Sequence, residues 1–119
     1  SSSADETMRR RAFKVVSHEL GHLFGLRHCT DLLCLMNGAN HVDELNRQPL
    51  LECPACTLKL SYTLPWSDLP TRYRRLAEQL ARHELRRECD MVNHRILPAL
   101  TGARGADPAA AVPRADAAP

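Results

Sequence analysis

Three histidines and one glutamate carry the most specific chemistry in this chain. His18, Glu19 and His22 stand in the run H-E-L-G-H, and His28 follows six residues after His22. On an α-helix, residues four apart lie on one face, one turn from each other, so His18 and His22 can grip a single ion. Glu19 sits beside that face, placed to reach a water on the ion without being a ligand. Gly25 tolerates the left-handed turn that ends a helix, after which the chain can double back and present His28 as a third ligand. Three neutral imidazoles leave a fourth position for water, which is the pattern of a catalytic zinc site rather than a structural one.

Four cysteines follow at once. Cys29 and Cys34 flank four residues, and Cys53 and Cys56 form C-P-A-C. Two such pairs, eighteen residues apart, fit a tetrahedral four-cysteine zinc site. The competing readings are two disulfides, against which the lack of a secretory signal counts, and a redox C-x-x-C, which lacks the surrounding βαβ pattern. Cys29 directly follows His28, so metal in the cysteine cage would stiffen the loop that delivers the third histidine. Cys89 stands apart and reads as a small buried hydrophobe.

A helix must carry the first two histidines, and the local sequence supplies one. Met8, Ala12, Val15, Val16, Leu20 and Leu23 recur at helical spacing over about four turns. Ser3 or Asp5 is placed to cap its start. Arg9, Arg10 and Arg11 read as exposed helix residues. Gly21 lies inside the helix at a cost of about 1 kcal/mol relative to alanine, and marks either a close approach by other backbone or a tolerated weak spot. Asn37 to Leu51 is polar and reads as a long loop, with His41, Asp43 and Glu44 as solvated residues. Lys59 to Leu64 is either a short extension or the end of a helix that begins in the C-x-x-C region, with Trp66 as a packing anchor at the turn. Ser67 or Asp68, followed by Pro70, starts a long helix. Tyr73, Leu76, Ala77, Leu80, Leu85, Cys89, Val92 and Ile96 form its apolar stripe, which slips near His83 and Glu84, and Pro98 ends it.

The full run H-E-x-x-H-x-x-G-x-x-H is a metzincin signature. With His28-Cys29, C-x4-C-x-M and the later C-x-x-C in one frame, the chain resembles the archaemetzincins, a branch of the metzincin zinc peptidases. The resemblance covers about His18 to Cys56. It implies that His18, His22 and His28 hold a catalytic zinc, that Glu19 is the general base, and that Met36 is the methionine of the turn beneath that zinc. It also implies that Cys29, Cys34, Cys53 and Cys56 hold a second, structural zinc, giving two Zn2+ per chain, and that peptides or proteins are the substrates. Taken alone, Met36 beside Leu33 and Leu35 would read as core filler.

Metzincins place a twisted β-sheet before the active-site helix, and here the residues before His18 read as helix. The expected fold is therefore mainly α: the zincin-like C-terminal catalytic portion, with an active-site helix, a zinc-bound loop and a long C-terminal helix, lacking the upstream sheet. Residues 1–97 are expected to form this partial catalytic domain of a longer peptidase, and 98–119, rich in Ala, Pro, Gly and Arg, a disordered tail. Aromatics are 4% of the 119 residues, so the core is small and two zinc sites would serve as its staples.

A net charge of +2 singles out no polyanion partner. The arginines of the last helix interleave with Glu78, Glu84 and Glu88 as on a solvated face, so no nucleic acid is expected. No apolar run is long enough to span a bilayer. With no secretory signal, the default location is cytoplasmic or nuclear. The leading function is a zinc-dependent peptidase. The alternative is a non-catalytic zinc-binding module, because the substrate-binding sheet is missing; an interaction protein built on the Arg-rich helix ranks third.

Overall fold

Six α-helices and one π-helical stretch, with no strand, make up the described residues, 2–65 and 68–102, of the computed structural model. The mainly α expectation holds. Trp66, Ser67 as a cap and most of the expected tail lie outside the described residues. The chain divides into two compact units, Ser1–Pro65 and Trp66–Pro119. No helix among the described residues is long and apolar enough to cross a membrane.

In the first unit, α1 spans Ser3–Leu23. Its cap is Ser2, one residue before the expected start, whose Oγ accepts the Asp5 N–H at 3.1 Å. Its end is a Schellman turn: the Gly25 N–H reaches the His22 carbonyl at 3.0 Å and the Leu26 N–H reaches Gly21 at 2.9 Å. Gly25 takes φ of +95°, the conformation that glycine reaches without steric cost.

The face of α1 that turns inward is not the apolar one. Met8, Val15, Val16, Leu20 and Leu23 are exposed, Leu23 by 80%, while Arg10 and Lys14 are buried. Arg10, expected outside, is 7% exposed. Its guanidinium pairs with Glu6 one turn earlier at 3.2 Å. Lys14 donates from Nζ to the Leu45 and Asn46 carbonyls at 3.0 and 3.2 Å, and Arg11 donates from Nε to Asn46 Oδ1 at 2.9 Å. The reason is what comes to meet the helix. A short helix α2, Val42–Arg47, lies inside the stretch expected as loop. The last carbonyls of a helix have no partner of their own and require donors, which Lys14 provides. Asp43 and Glu44 stand in the first turn of α2, where the helix dipole favours negative charge. His41 and Asp43 are exposed, as expected.

Helix α3, Pro54–Ser61, begins inside the C-x-x-C with Cys53 as its cap and proline at its first position. This is the second of the two alternatives for that region. Leu26, Leu35, Met36, Leu50, Leu51 and Leu60 are buried in this unit together with Cys34, Cys53 and Cys56.

The second unit begins with α4, Leu69–Arg82, capped by Asp68, whose Oδ1 accepts the Thr71 N–H at 2.7 Å. The single long helix expected here is interrupted. Glu84 takes φ of +58°, and the chain resumes as α5, Arg86–Met91, a π-helical stretch, Val92–Ile96, and α6, Leu97–Thr101. The break falls where the apolar stripe slips. It lets α4 pack against α5, the π stretch and α6, which a straight helix could not do, so Tyr73, Ala77, Leu80, Leu85, Cys89 and Val92 are buried. The Cys89 thiol lies 3.7 Å from the Ala77 carbonyl, a buried small side chain as expected.

Pro98 does not end the helix. The π stretch widens the hydrogen-bond ladder just before it, with Leu97 N–H bonding to Val92, and so eases the clash between the proline ring and the preceding turn. The helix stops instead at Gly102, with φ of +70°. Arg74, Arg75, Arg82, Arg86 and Arg87 are exposed, and Arg72 lies over the Tyr73 ring at 5.0 Å from its centroid.

Gly21 is where the first unit is tightest. A Cβ added there would fall 2.5 Å from Met36 Sδ and 3.0 Å from its Cε. The close approach expected at this glycine is real, but it comes from a buried side chain rather than from backbone. Alanine at Gly21 would gain about 1 kcal/mol of helix propensity and lose about 1–3 kcal/mol by overpacking. Met36 is fully buried and has little room to yield. Gly21→Ala is therefore expected to destabilise the protein by about 1 kcal/mol in urea unfolding, and less so in a Met36→Ala background.

Candidate metal centre

The three histidines converge. His18 and His22 sit one turn apart near the end of α1, and the Schellman turn redirects the chain so that His28 meets them. Ring centroids are 4.7 Å apart for His18 and His22, 5.2 Å for His18 and His28, and 5.0 Å for His22 and His28. One ligand nitrogen from each lies within 4.8 Å of the others. His28 is the exposed member, and Gly38 lies against its ring, where a Cβ would come within 3.2 Å of Nδ1.

The tautomers follow from the neighbours. His18 Nδ1 is 2.8 Å from the Leu35 carbonyl oxygen, and His22 Nδ1 is 2.7 Å from that of Leu26. A carbonyl oxygen carries no proton, so each Nδ1 must donate one. In neutral imidazoles each Nε2 is then a lone-pair nitrogen, and these two face one another at 3.1 Å. Two lone pairs so placed repel unless a cation lies between them. Ligands about 2.0–2.1 Å from a tetrahedral zinc are about 3.4 Å apart, close to what these nitrogens show. The donor set therefore fits zinc. Glu19 is exposed on the helix beside His18.

The four cysteines form a second cluster, with sulfurs all within 4.8 Å of one another. All four are free thiols, so the two-disulfide reading does not describe the fold. Cys29 Sγ and Cys53 Sγ are 3.9 Å apart, and thiolates about 2.3 Å from a shared tetrahedral zinc would be about 3.8 Å apart. Backbone N–H groups point at the sulfurs: Cys34 Sγ accepts from Met36 at 3.4 Å and Cys53 at 3.2 Å, and Cys53 Sγ accepts from Cys56 at 3.4 Å. Burial pushes the Cys34 thiol up, and burial together with its Cys34 neighbour pushes Cys56 far up. Cys29 goes the other way, drawn down to about 7 by backbone hydrogen bonds at Leu32 and Asp31.

The turn from Cys34 to Asn37 joins the two clusters. Cys34 belongs to the cage, and the Leu35 carbonyl orients His18. The Met36 carbonyl takes the Cys29 N–H at 2.8 Å. Asn37 donates from Nδ2 to the Cys29 and Leu32 carbonyls at 2.9 Å each, and its Oδ1 accepts the Cys34 N–H at 2.9 Å. Sequence reasoning missed Asn37, Gln48 and Lys14. Gln48 is 5% exposed and its side-chain amide donates to the Leu35 carbonyl beside His18. A buried glutamine next to Pro49 leaves no periodic signal, so nothing in the chain's pattern singled it out.

Residues 3–62 match the family model described as Peptidase family M54. Among similar curated proteins, Archaemetzincin-2 of Pongo abelii is 48% identical over 66 residues, which is 56% of this chain and 18% of that protein. Archaemetzincin-1 of Homo sapiens is 51% identical over 63 residues, covering 53% of this chain and 12% of that one. The archaemetzincin of Thermococcus kodakarensis is 45% identical over 58 residues, 49% of this chain and 31% of its own. The chain thus spans less than a third of the length of these relatives. No solved structure matches it.

Since burial holds Cys34 and Cys56 protonated near neutral pH, metal taken up by the cage must displace those protons. Zinc affinity of the cysteine cluster is expected to fall as the pH is lowered from about 8 to about 6, with proton release on binding measurable in weakly buffered titrations.

Proposed function

The chain belongs to Peptidase family M54, and from that premise we propose that it is the zinc-binding part of a metallopeptidase that hydrolyses peptide bonds. The observation that carries this reading is the convergence of the His18 and His22 Nε2 atoms, 3.1 Å apart, with His28 beside them. In this reading residues 1–97 are the partial catalytic domain, α1 is the active-site helix, and Met36 is the methionine beneath the metal.

His18, His22 and His28 would hold the catalytic zinc through ring nitrogens. Cys29, Cys34, Cys53 and Cys56 would hold a second, structural zinc. A zinc ion at the histidines supplies Lewis acidity and lowers the pKa of water there toward neutrality. Glu19 takes the proton of the attacking water on a carboxylate oxygen as that water adds to the scissile carbonyl carbon. The same carboxyl group then delivers the proton to the leaving amine nitrogen. The Nδ1–H bonds to Leu35 and Leu26 keep His18 and His22 in the tautomer that this arrangement needs.

Two zincs per chain are expected by elemental analysis, in the wild type and in Glu19→Gln alike. Peptide cleavage should be lost on chelation and in Glu19→Gln, by a factor of about 100 or more. Turnover retained by Glu19→Gln would reject the role given to that residue. Two bound zincs without turnover in the wild type would favour the non-catalytic zinc module instead.

A further inference from the structure

We propose that Gln48 is a positioning residue for His18, holding, through the Leu35 carbonyl, the ring orientation that aims Nε2 at the metal. The inference rests on the zinc reading of the three histidines and deepens it.

The geometry is a closed circuit. The Leu35 carbonyl oxygen has two lone pairs and accepts two donors, His18 Nδ1–H at 2.8 Å and the Gln48 side-chain amide. Gln48 Nε2 also packs 3.3 Å from His18 Nδ1. Because Nδ1 already donates to the carbonyl, this is two donors flanking one acceptor. The carbonyl cannot swing without breaking one bond, and the buried amide keeps water from competing for the Nδ1 proton. Gln48 is held in turn by α2, closing it with its N–H on the Glu44 carbonyl at 3.0 Å. The carbonyls of Leu45 and Asn46 receive Lys14, which is 2% exposed and lies one turn before His18 on α1. Helix α1 thus secures α2 through Lys14, and α2 returns Gln48 to the histidine on α1. Partners that orient a ligating histidine in this way are worth tenfold to a hundredfold in metal affinity.

A glutamine that merely filled space and satisfied itself would behave otherwise. Replacing it by methionine would then be nearly harmless, since Leu35 keeps its bond to His18. Glutamate would be the damaging change, as a buried carboxylate beside a carbonyl. The positioning role differs at methionine, which loses the donor that steadies the carbonyl; an ionised glutamate, an acceptor only, lacks that donor as well.

The test uses the full 119-residue chain, with zinc and cobalt as the probes. Zinc affinity is read by chelator competition, and cobalt separates the sites, because thiolate ligation gives intense near-ultraviolet charge-transfer absorption and imidazole ligation only weak visible bands. Gln48→Met should weaken metal at the histidines about tenfold to a hundredfold, alter the visible cobalt bands, and leave the thiolate absorption unchanged. Gln48→Glu, which lacks the donor too, should weaken metal at the histidines at least as much. Unchanged affinity in Gln48→Met or in Gln48→Glu, or equal loss at both sites, would overturn the proposal. If Gln48→Met does not fold, Gln48→Leu decides by the same criteria. Metal uptake by the wild type at the thiolates alone would reject the zinc reading itself, a result distinct from any of these.

Discussion

The turn from Cys34 to Asn37 is the constraint on which the first unit depends. Each of its residues holds a different part of the metal centre. Cys34 lends its sulfur to the cage, and the Leu35 carbonyl fixes the proton of His18. The Met36 side chain lies under Gly21, while its carbonyl holds the residue after His28. Asn37 ties the turn to itself and to Cys29. Neither cluster can shift without moving the other, because they share this stretch of backbone. The proximity of His28 to Cys29 in the chain is therefore only half of the connection, and the turn supplies the rest.

Packing around this turn relies on hydrogen bonds more than on apolar area. The inward face of α1 carries Arg10 and Lys14, and the buried lysine answers the unpaired carbonyls at the end of α2. A buried ammonium costs several kcal/mol unless it is bonded, so its partners are specific and the register between α1 and α2 is narrow. The apolar stripe faces outward in the same structure. Burial and periodicity disagree on this helix because periodicity identifies a helix and its faces, while the neighbouring segments decide which face is covered.

Metal bound at both clusters would give them a common physical role. Two lone-pair nitrogens facing each other and four thiols gathered among apolar side chains are costly arrangements for a small chain to hold alone. A cation would turn each cost into stabilisation, since binding energy at a site that exists only when the chain is folded is folding energy. Such binding would help a unit with so few aromatic side chains to position three histidines on one side of a turn and four cysteines on the other.

Much of the site was legible in the chain itself, because ligand chemistry imposes spacing. His18 and His22 had to share a helical face, Gly25 had to turn the chain, and the cysteine pairs had to be close in sequence to be close in space. Gly21 showed that something approached it, though not that Met36 was the neighbour. What sequence did not reveal were the parts with no periodic or local signature: α2 within a polar stretch, the break at Glu84, the helix running past Pro98, and Gln48 and Asn37 at the centre. The donors and their order were determined by the sequence alone, since covalent spacing limits which atoms can meet. Which face of α1 is covered, which nitrogen of each imidazole keeps its proton and which carbonyl holds it there were decided only by tertiary structure. Those outcomes depend on hydrogen-bond partners brought from distant positions in the chain.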